Sequence, residues 1–558
     1  MRGHRRLRTG SWRRTLASLG LVGLLLGTAA CGGGDDENSG PAQSGTVDDV
    51  SEQGEPVEGG SITVGLEAET NSWLPGEGLF AEPGTNVAYA IYDPLMKRTA
   101  DGELKPYLAE SMEPNEELTE WTLELRPDVQ FHDGTPLDAQ AVKTIFDTYL
   151  TAPTSNVAAS LAGVTSLDVV DDLTLRYNLS APDAAFPDVL TSAPGMPFSP
   201  TAAAAAGPDA GANPVGTGPF RFVSWQRDSA LVVERNEDYW QEGLPHLDKI
   251  TFRSIPDEDT RLSSLQSGDI DALQTLRQST VARARELDGV DNYEYLGNSS
   301  TVSLINTSRP PFDDVRVRQA LAHAIDQPAL IDVLGGTGLT PEATQYFSPD
   351  SPYYSEEVAE AFPDYDPERA QELYDDYVND PQRSDGKPVG SDLSFTYNCP
   401  PDPSLNELSQ LFQSFWSNLG MQVELNTVEQ AAHIQNALAK DYDVQCFRAG
   451  SQRDPYIVLS DAFTAGPLNL TGYASPEIDE QLEVLRTTSD TDARKAAVET
   501  ISMNVAENVP NVFMGYTLND IAVREQVKNV DGWTFPDGTQ GDGVPDANAM
   551  WGHVWLAD

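Results

Sequence analysis

Side chains able to do chemistry are sparse in this chain, and their spacing argues against catalysis. The six histidines (His4, His132, His246, His323, His433 and His553) are scattered, with no two within four residues of each other. A G-x-S-x-G elbow, H-E-x-x-H, a P-loop and a dinucleotide-binding glycine fingerprint are all missing from the sequence. His132 and Asp133, adjacent in VQFHDGTP (129–136), have the look of a base with its carboxylate or of two metal ligands. No further ligand lies at metal spacing, so a hydrogen bond bracing the Asp133-Gly134 turn accounts for the pair, and neither metal nor cofactor is expected. Arg448 and Arg453, in FRAGSQRDP, could each meet a ligand carboxylate or phosphate with two parallel N–H donors. In so acidic a chain each could equally pair with a nearby carboxylate.

The scaffold that positions such groups is large. At 558 residues the chain exceeds what one core usually organises, and two or three lobes are expected. It carries 87 acidic against 35 basic residues, a formal net charge of −52. Six of the arginines fall in the first thirty residues, so the remainder is more acidic still. Such a surface repels nucleic acid and anionic lipid and makes both poor partners. The charge is spread along the whole chain, favours solubility, and points to no particular substrate.

Residues 1–31 have the layout of an export signal: a basic stretch, the apolar run Leu16 to Leu26, then small residues up to Cys31. The apolar run is short for a membrane span. Small residues ending directly at a cysteine resemble a lipoprotein cleavage box of actinobacterial style, in which Cys31 becomes the lipidated N-terminus. Residues 32–60 are rich in Gly, Asp, Glu and Ser and read as a disordered tether. In an oxidising compartment the remaining cysteines, Cys399 and Cys446, invite a disulfide; two small buried hydrophobes are the alternative.

Along the chain, Ser61 to Leu66 alternates as a strand, and 86–96 reads as a helix closed by Tyr92-Asp93-Pro94. Asp138 can cap a helix with Ala139, Val142, Ile145, Phe146 and Tyr149 on its apolar face. Pro214 to Trp240 (PVGTGPFRFVSWQRDSALVVERNEDYW) reads as a glycine turn followed by two short strands. Residues 301–306 (TVSLIN) form a strand crossing between lobes, and 511–523 the return. From Leu393 a β-α-β-α-β pattern builds a parallel sheet with ligands expected beyond the strand C-termini. If its strands lie in the order 2-1-3, Cys399 and Cys446 end neighbouring strands.

The GTGPF turn followed by Asn236, Tyr239 and Trp240 resembles the family 5 extracellular solute-binding proteins of ABC importers. VQFHDGTP, the Gly268 to Ala272 turn, NTSRPPFDDVRVRQALAHAID (306–326) and NLTGYASP (469–476) resemble further family stretches in the same order. The resemblance covers 61–558. It implies an α/β, bilobal periplasmic-binding-protein-like fold (type II, cluster C) with an extra subdomain in the first lobe. The first lobe would comprise 61–100, 213–305 and 510–558, the subdomain 101–212, and the second lobe 306–509. The implied function is capture of an extracellular solute, a peptide or peptide-like compound, by lobe closure and its delivery to ABC permease subunits. An oligosaccharide, an anionic small molecule or a ligand-dependent sensing role is the alternative. The protein would be a monomer, not an enzyme, and anchored to the outer face of the membrane only through lipid. Cleft-facing loop positions are the candidate ligand contacts: Asn71, Trp73, Arg448, Ser451, Gln452, Arg453, Asp454 and, near a lobe crossing, Tyr516. Dipeptide and oligopeptide binders hold the ligand ammonium with an aspartate where Ser451 stands here, and Asp454 has a bracing role beside Pro455 in the family.

Overall fold

The computed structural model describes residues 54–557, apart from 79, 153–154, 402, 450–452 and 467. The export segment, Cys31 and most of the tether lie outside the described residues.

Ten strands make one sheet. In chain order they are β1 (Ser61–Leu66), β2 (Phe220–Gln226), β3 (Ala230–Arg235), β4 (Lys249–Ser254), β5 (Ala272–Thr275) and β6 (Val290–Ile305). β7 (Ser394–Cys399), β8 (Gln422–Thr427), β9 (Val444–Ala449) and β10 (Asn511–Arg524) complete it. Across the sheet the order is β8-β7-β9-β6-β10-β5-β1-β4-β3-β2. β6 and β10 are far longer than an ordinary strand and pair antiparallel from Val290↔Arg524 to Leu304↔Asn511, with a register break between Leu296 and Ser300. Before the break Tyr293 and Tyr295 pack against the core that holds Ile521 and Val523. After it Val302, Leu304 and Phe513 belong to a different core. These two strands are the lobe crossings. The crossing starts at Val290, earlier than the 301–306 expected, because DNYEYLGNSS (291–300) lacks the apolar alternation that marks a strand.

Three sequence motifs meet in the first lobe. Gly216 and Gly218 press against the end of the helix Glu82–Ile91: an added Cβ would lie 2.1 Å and 2.7 Å from the Ile91 carbonyl oxygen. Only glycine permits that approach. His132 sits against the same turn, its Nε2 2.9 Å from the Gly218 carbonyl and its Nδ1 accepting the Gly216 N–H at 3.3 Å. The ring is therefore a neutral Nε2–H tautomer, a peg for the turn. The helix begins four residues before the expected 86, with Pro83 in its first turn.

The subdomain is a four-stranded antiparallel sheet in the order Ala109–Pro114, Glu120–Leu125, Thr174–Leu179, Val164–Val169. Its helix Ala139–Thr151 buries Ala139, Val142, Ile145, Phe146 and Tyr149, the face that spacing predicts. Each large side chain there contributes about 1.5–3 kcal/mol by burial. The Asp138 carboxylate accepts the Ala141 N–H at 2.7 Å and caps the helix, a contribution of about 1 kcal/mol.

In the second lobe β7, β8 and β9 are parallel and lie in the order 2-1-3. Cys399 and Cys446, their Cα atoms 5.3 Å apart, form a disulfide across β7 and β9. Near the C-terminus a 3-10 turn (Trp551–His553) is followed by Trp555–Leu556, which pairs with Val527–Lys528. Among the described residues no helix is long and apolar enough to cross a membrane.

Candidate functional site

A cleft of about 1000 Å³ opens where the crossings leave the first lobe. Its floor is β6 from Val290 to Leu296. Arg98 to Gly102 and Gly541 to Pro545 form one wall; Phe347 to Tyr353, with Arg453 and Pro455, form the other. The volume reaches the top of the range for small-molecule pockets and accommodates a ligand of several residues.

Alternation along β6 sets Tyr293 and Tyr295 on one face and Glu294, also a lining residue, on the other, where it pairs with Arg285 at 2.5 Å. Burial raises the phenol pKa of both tyrosines, and nearby carboxylates (Asp531 at Tyr293, Asp546 and Asp542 at Tyr295) add to the rise. Both remain neutral hydroxyls able to donate or accept. Asn292 Oδ1 and Asp542 Oδ1 belong to lining residues but are themselves buried, with no hydrogen-bond donor among the described residues. Burial pushes the Asp542 carboxyl up, and Lys97, 4.0 Å away, pulls it back.

Each cation of the cleft faces an acid. Lys528 Nζ lies 3.1 Å from Asp291 Oδ2. Arg98 donates to the buried Asp188 and, through Nη1, to the Gly102 carbonyl at 2.8 Å. Arg453 Nε lies 3.9 Å from the other oxygen of Asp188. Among the described residues neither histidine nor cysteine lines the cleft, and no group of three or more His, Cys, Asp or Glu could hold a metal ion. The arrangement suits oriented binding: aromatic faces, acceptors and paired charges on a preformed surface.

Of the residues picked from sequence, Arg453 lines the cleft. Asp454 lies next to it but is buried; its carboxylate accepts the Tyr456 N–H at 2.8 Å and pairs with Arg494 at 2.5 Å. Tyr516 is buried behind the wall, its hydroxyl donating to the Phe347 carbonyl at 2.7 Å. Trp73 is 2% exposed and stacks edge-to-face on Trp225 at 5.6 Å, while Asn71 is exposed and its carbonyl accepts from Arg227 at 2.9 Å. Neither is part of the cleft lining. Arg448 is exposed on β9 opposite Thr301 and also lies outside the lining. Ser451 and Gln452 fall outside the described residues. Sequence reasoning missed Asn292, Tyr293, Tyr295, Arg98 and Asp188. The Tyr-Glu-Tyr alternation at 293–295, aromatics in an otherwise polar stretch, was the available signal.

Two lobes joined by two strands, with a polar and aromatic cleft at the crossing, define a bilobal solute-binding protein of the periplasmic-binding-protein type. The chain belongs to the bacterial extracellular solute-binding proteins, family 5, whose middle region matches residues 103–467. Members of this family are the solute-binding components of ABC importers. The glutathione-binding protein GsiB of Pectobacterium atrosepticum is 28% identical over 443 residues, covering 77% of this chain and 83% of GsiB. The oligopeptide-binding protein AppA of Bacillus subtilis, solved with a nonapeptide, matches the fold with a TM-score of 0.70 at 23% identity, covering 90% of this chain and 100% of AppA. NikA of Brucella suis, solved with Fe(III)-EDTA, gives a TM-score of 0.75 at 22% identity, covering 89% and 100%.

Proposed function

We propose that this protein captures a peptide or peptide-like solute by closing its two lobes on it and hands the solute unchanged to ABC permease subunits. The supporting observation is the cleft of about 1000 Å³ at the strand crossings, lined by tyrosines and by polar side chains. Ligand shifts the lobes toward closure by its differential affinity for the closed form. Glutathione, the ligand in GsiB's name, and the nonapeptide bound to AppA are the peptide precedents among relatives. An anionic small molecule has less support, because Arg98, Arg453 and Lys528 each already face a carboxylate.

In this reading the chain acts as a monomer, held to the outer face of the membrane by lipid on Cys31 with 32–60 as tether. The lobes meet along β6 and β10, and the closing motion is taken up at the register break between Leu296 and Ser300, beyond which Val302, Leu304 and Phe513 pack in the second-lobe core. Native mass spectrometry of the freshly purified protein, followed by denaturation, tests the ligand class. Released peptides are the expected result; a sugar or phosphorylated compound overturns the peptide assignment.

A further inference from the structure

The subdomain reaches across to the second lobe around Asp188, and that contact is built from charges of opposite sign. Asp188 lies in the short helix Phe186–Val189, whose apolar residues belong to the first core. Only 2% of its side chain is exposed. One carboxylate oxygen receives Arg98 from its own lobe. The other accepts the backbone N–H of Asp454 at 3.2 Å, with Arg453 Nε 3.9 Å away. Asp454 opens the helix Pro455–Phe463, and Arg494 clamps its carboxylate. Leu459 and Phe463 of that helix belong to the second-lobe core, yet Ile457 packs against the first. A second strut stands nearby: the Ala184 N–H donates to the Arg486 carbonyl at 2.8 Å, and the Arg486 guanidinium donates to the Pro182 carbonyl.

We propose that the subdomain is the clasp of the closed state, with Asp188 as the positioning residue that joins the lobes and holds Arg98 and Arg453, one from each lobe, at the edge of the cleft. This rests on the two-lobe closing mechanism proposed above. Arg98 and Arg453 both line the cleft and both face Asp188, so a ligand seated there touches the clasp itself. Closure then brings a buried charge together with its donors, and the open state returns Asp188 to water. Hydrogen bonds to charged groups have energies that shift a two-state ratio by about tenfold or more.

The test is single-molecule energy transfer between dyes on Leu150→Cys in the subdomain and Val389→Cys in the second lobe, both exposed positions. It is run on the purified protein without added ligand, in three backgrounds: wild type, Asp188→Asn and Arg486→Ala. Asp188→Asn removes the central charge, and Arg486→Ala removes the guanidinium bond to Pro182 and the exposed pair with Glu483 while keeping the backbone bond from Ala184, at a position that need not disturb folding. Far-ultraviolet circular dichroism checks that each variant is folded. The expected result is two distance populations, with the open-to-closed ratio rising about tenfold in Asp188→Asn and severalfold in Arg486→Ala. Two populations with the same ratio in all folded backgrounds overturn the clasp and leave lobe closure standing. One fixed distance in every background overturns lobe closure and the clasp with it.

Discussion

Asp93 accepts a hydrogen bond from the indole Nε1 of Trp240 at 2.7 Å, in the interior of the first lobe. Tyr239 donates its hydroxyl to the other oxygen of Asp93 at 3.1 Å. A carboxylate from the end of the first helix is thereby tied to the aromatic pair that follows the glycine-turn hairpin. Two motifs separated by some 146 residues form one structural joint.

That joint titrates. Burial pushes the Asp93 carboxyl up to about 7, against the opposing hydrogen bonds of Trp240 and Tyr239 and the charge of Lys97. A raised acid pKa means that the native state keeps a proton which the unfolded chain releases near its ordinary value. This contribution to stability is fully present at low pH and is lost as pH rises from about 4 to about 7. Asp93→Asn should remove the loss. Urea denaturation from pH 4 to 8 should give a wild-type-minus-variant difference that falls across this window; parallel curves would place the titration elsewhere.

His132 works in the opposite sense. Burial holds its imidazole down at about 4, so the native ring stays neutral while the unfolded ring takes a proton near its ordinary value. Its contribution rises with pH from about 4 to about 6.5 and is flat above. His132→Ala loses the peg under Gly216 and Gly218 and should destabilise by about 1–3 kcal/mol at pH 7.5. Ligand affinity, measured calorimetrically on folded protein, should be unchanged, since the turn lies outside the cleft.

In the cleft, Asn292→Ala should leave thermal stability within about 0.5 kcal/mol, because its Oδ1 has no donor to lose. It should weaken binding of the native ligand severalfold. Arg453→Ala should weaken it by about tenfold where the ligand carries an acid, while Arg448→Ala, outside the lining, should not. Equal losses for the two arginines would move the site toward the end of β9.

The Cys399–Cys446 disulfide spans 47 residues of chain. Replacing both cysteines with serine should cost about 2–4 kcal/mol of second-lobe stability. Chemical denaturation with and without a thiol reductant checks it: wild type should shift on reduction and the double variant should not.

Cys31→Ala should release the protein from membranes into the soluble fraction. Retention of that variant on washed membranes would show that lipid on Cys31 is not the anchor.

Much of this fold was legible because its signals are local. Asp138 and the apolar face that follows it are written within fourteen residues, and the five buried positions match the helical period. The β-α-β-α-β unit is legible from its pattern, but Cys399 ends beside Cys446 only in the strand order 2-1-3, which the sequence left as one possibility and the sheet adopts. The cleft was less legible. Asn71 and Trp73 were placed by their position after a strand, and the loop instead turns inward, burying Trp73 against Trp225. Tyr293 and Tyr295 sit on a strand whose polar neighbours are accommodated by pairing with β10, a long-range contact of which the three-residue Tyr-Glu-Tyr alternation is the only local trace. Asp188 looks like one more acid in an acidic chain until Asp454, 266 residues later, arrives beside it.

The position of β10 in the sheet has a consequence for the order in which the chain can fold. β10 lies between β5 and β6, yet it is among the last strands in the chain. A chain folding as it is made therefore carries two open sheet edges until residue 524 is available. The first lobe cannot lock before then, and the central pairings, with their large sequence separation, form last and slowly. Until that pairing forms, the exposed edges of β5 and β6 are open to proteolysis and to mispairing, and the length of that interval is set by one strand.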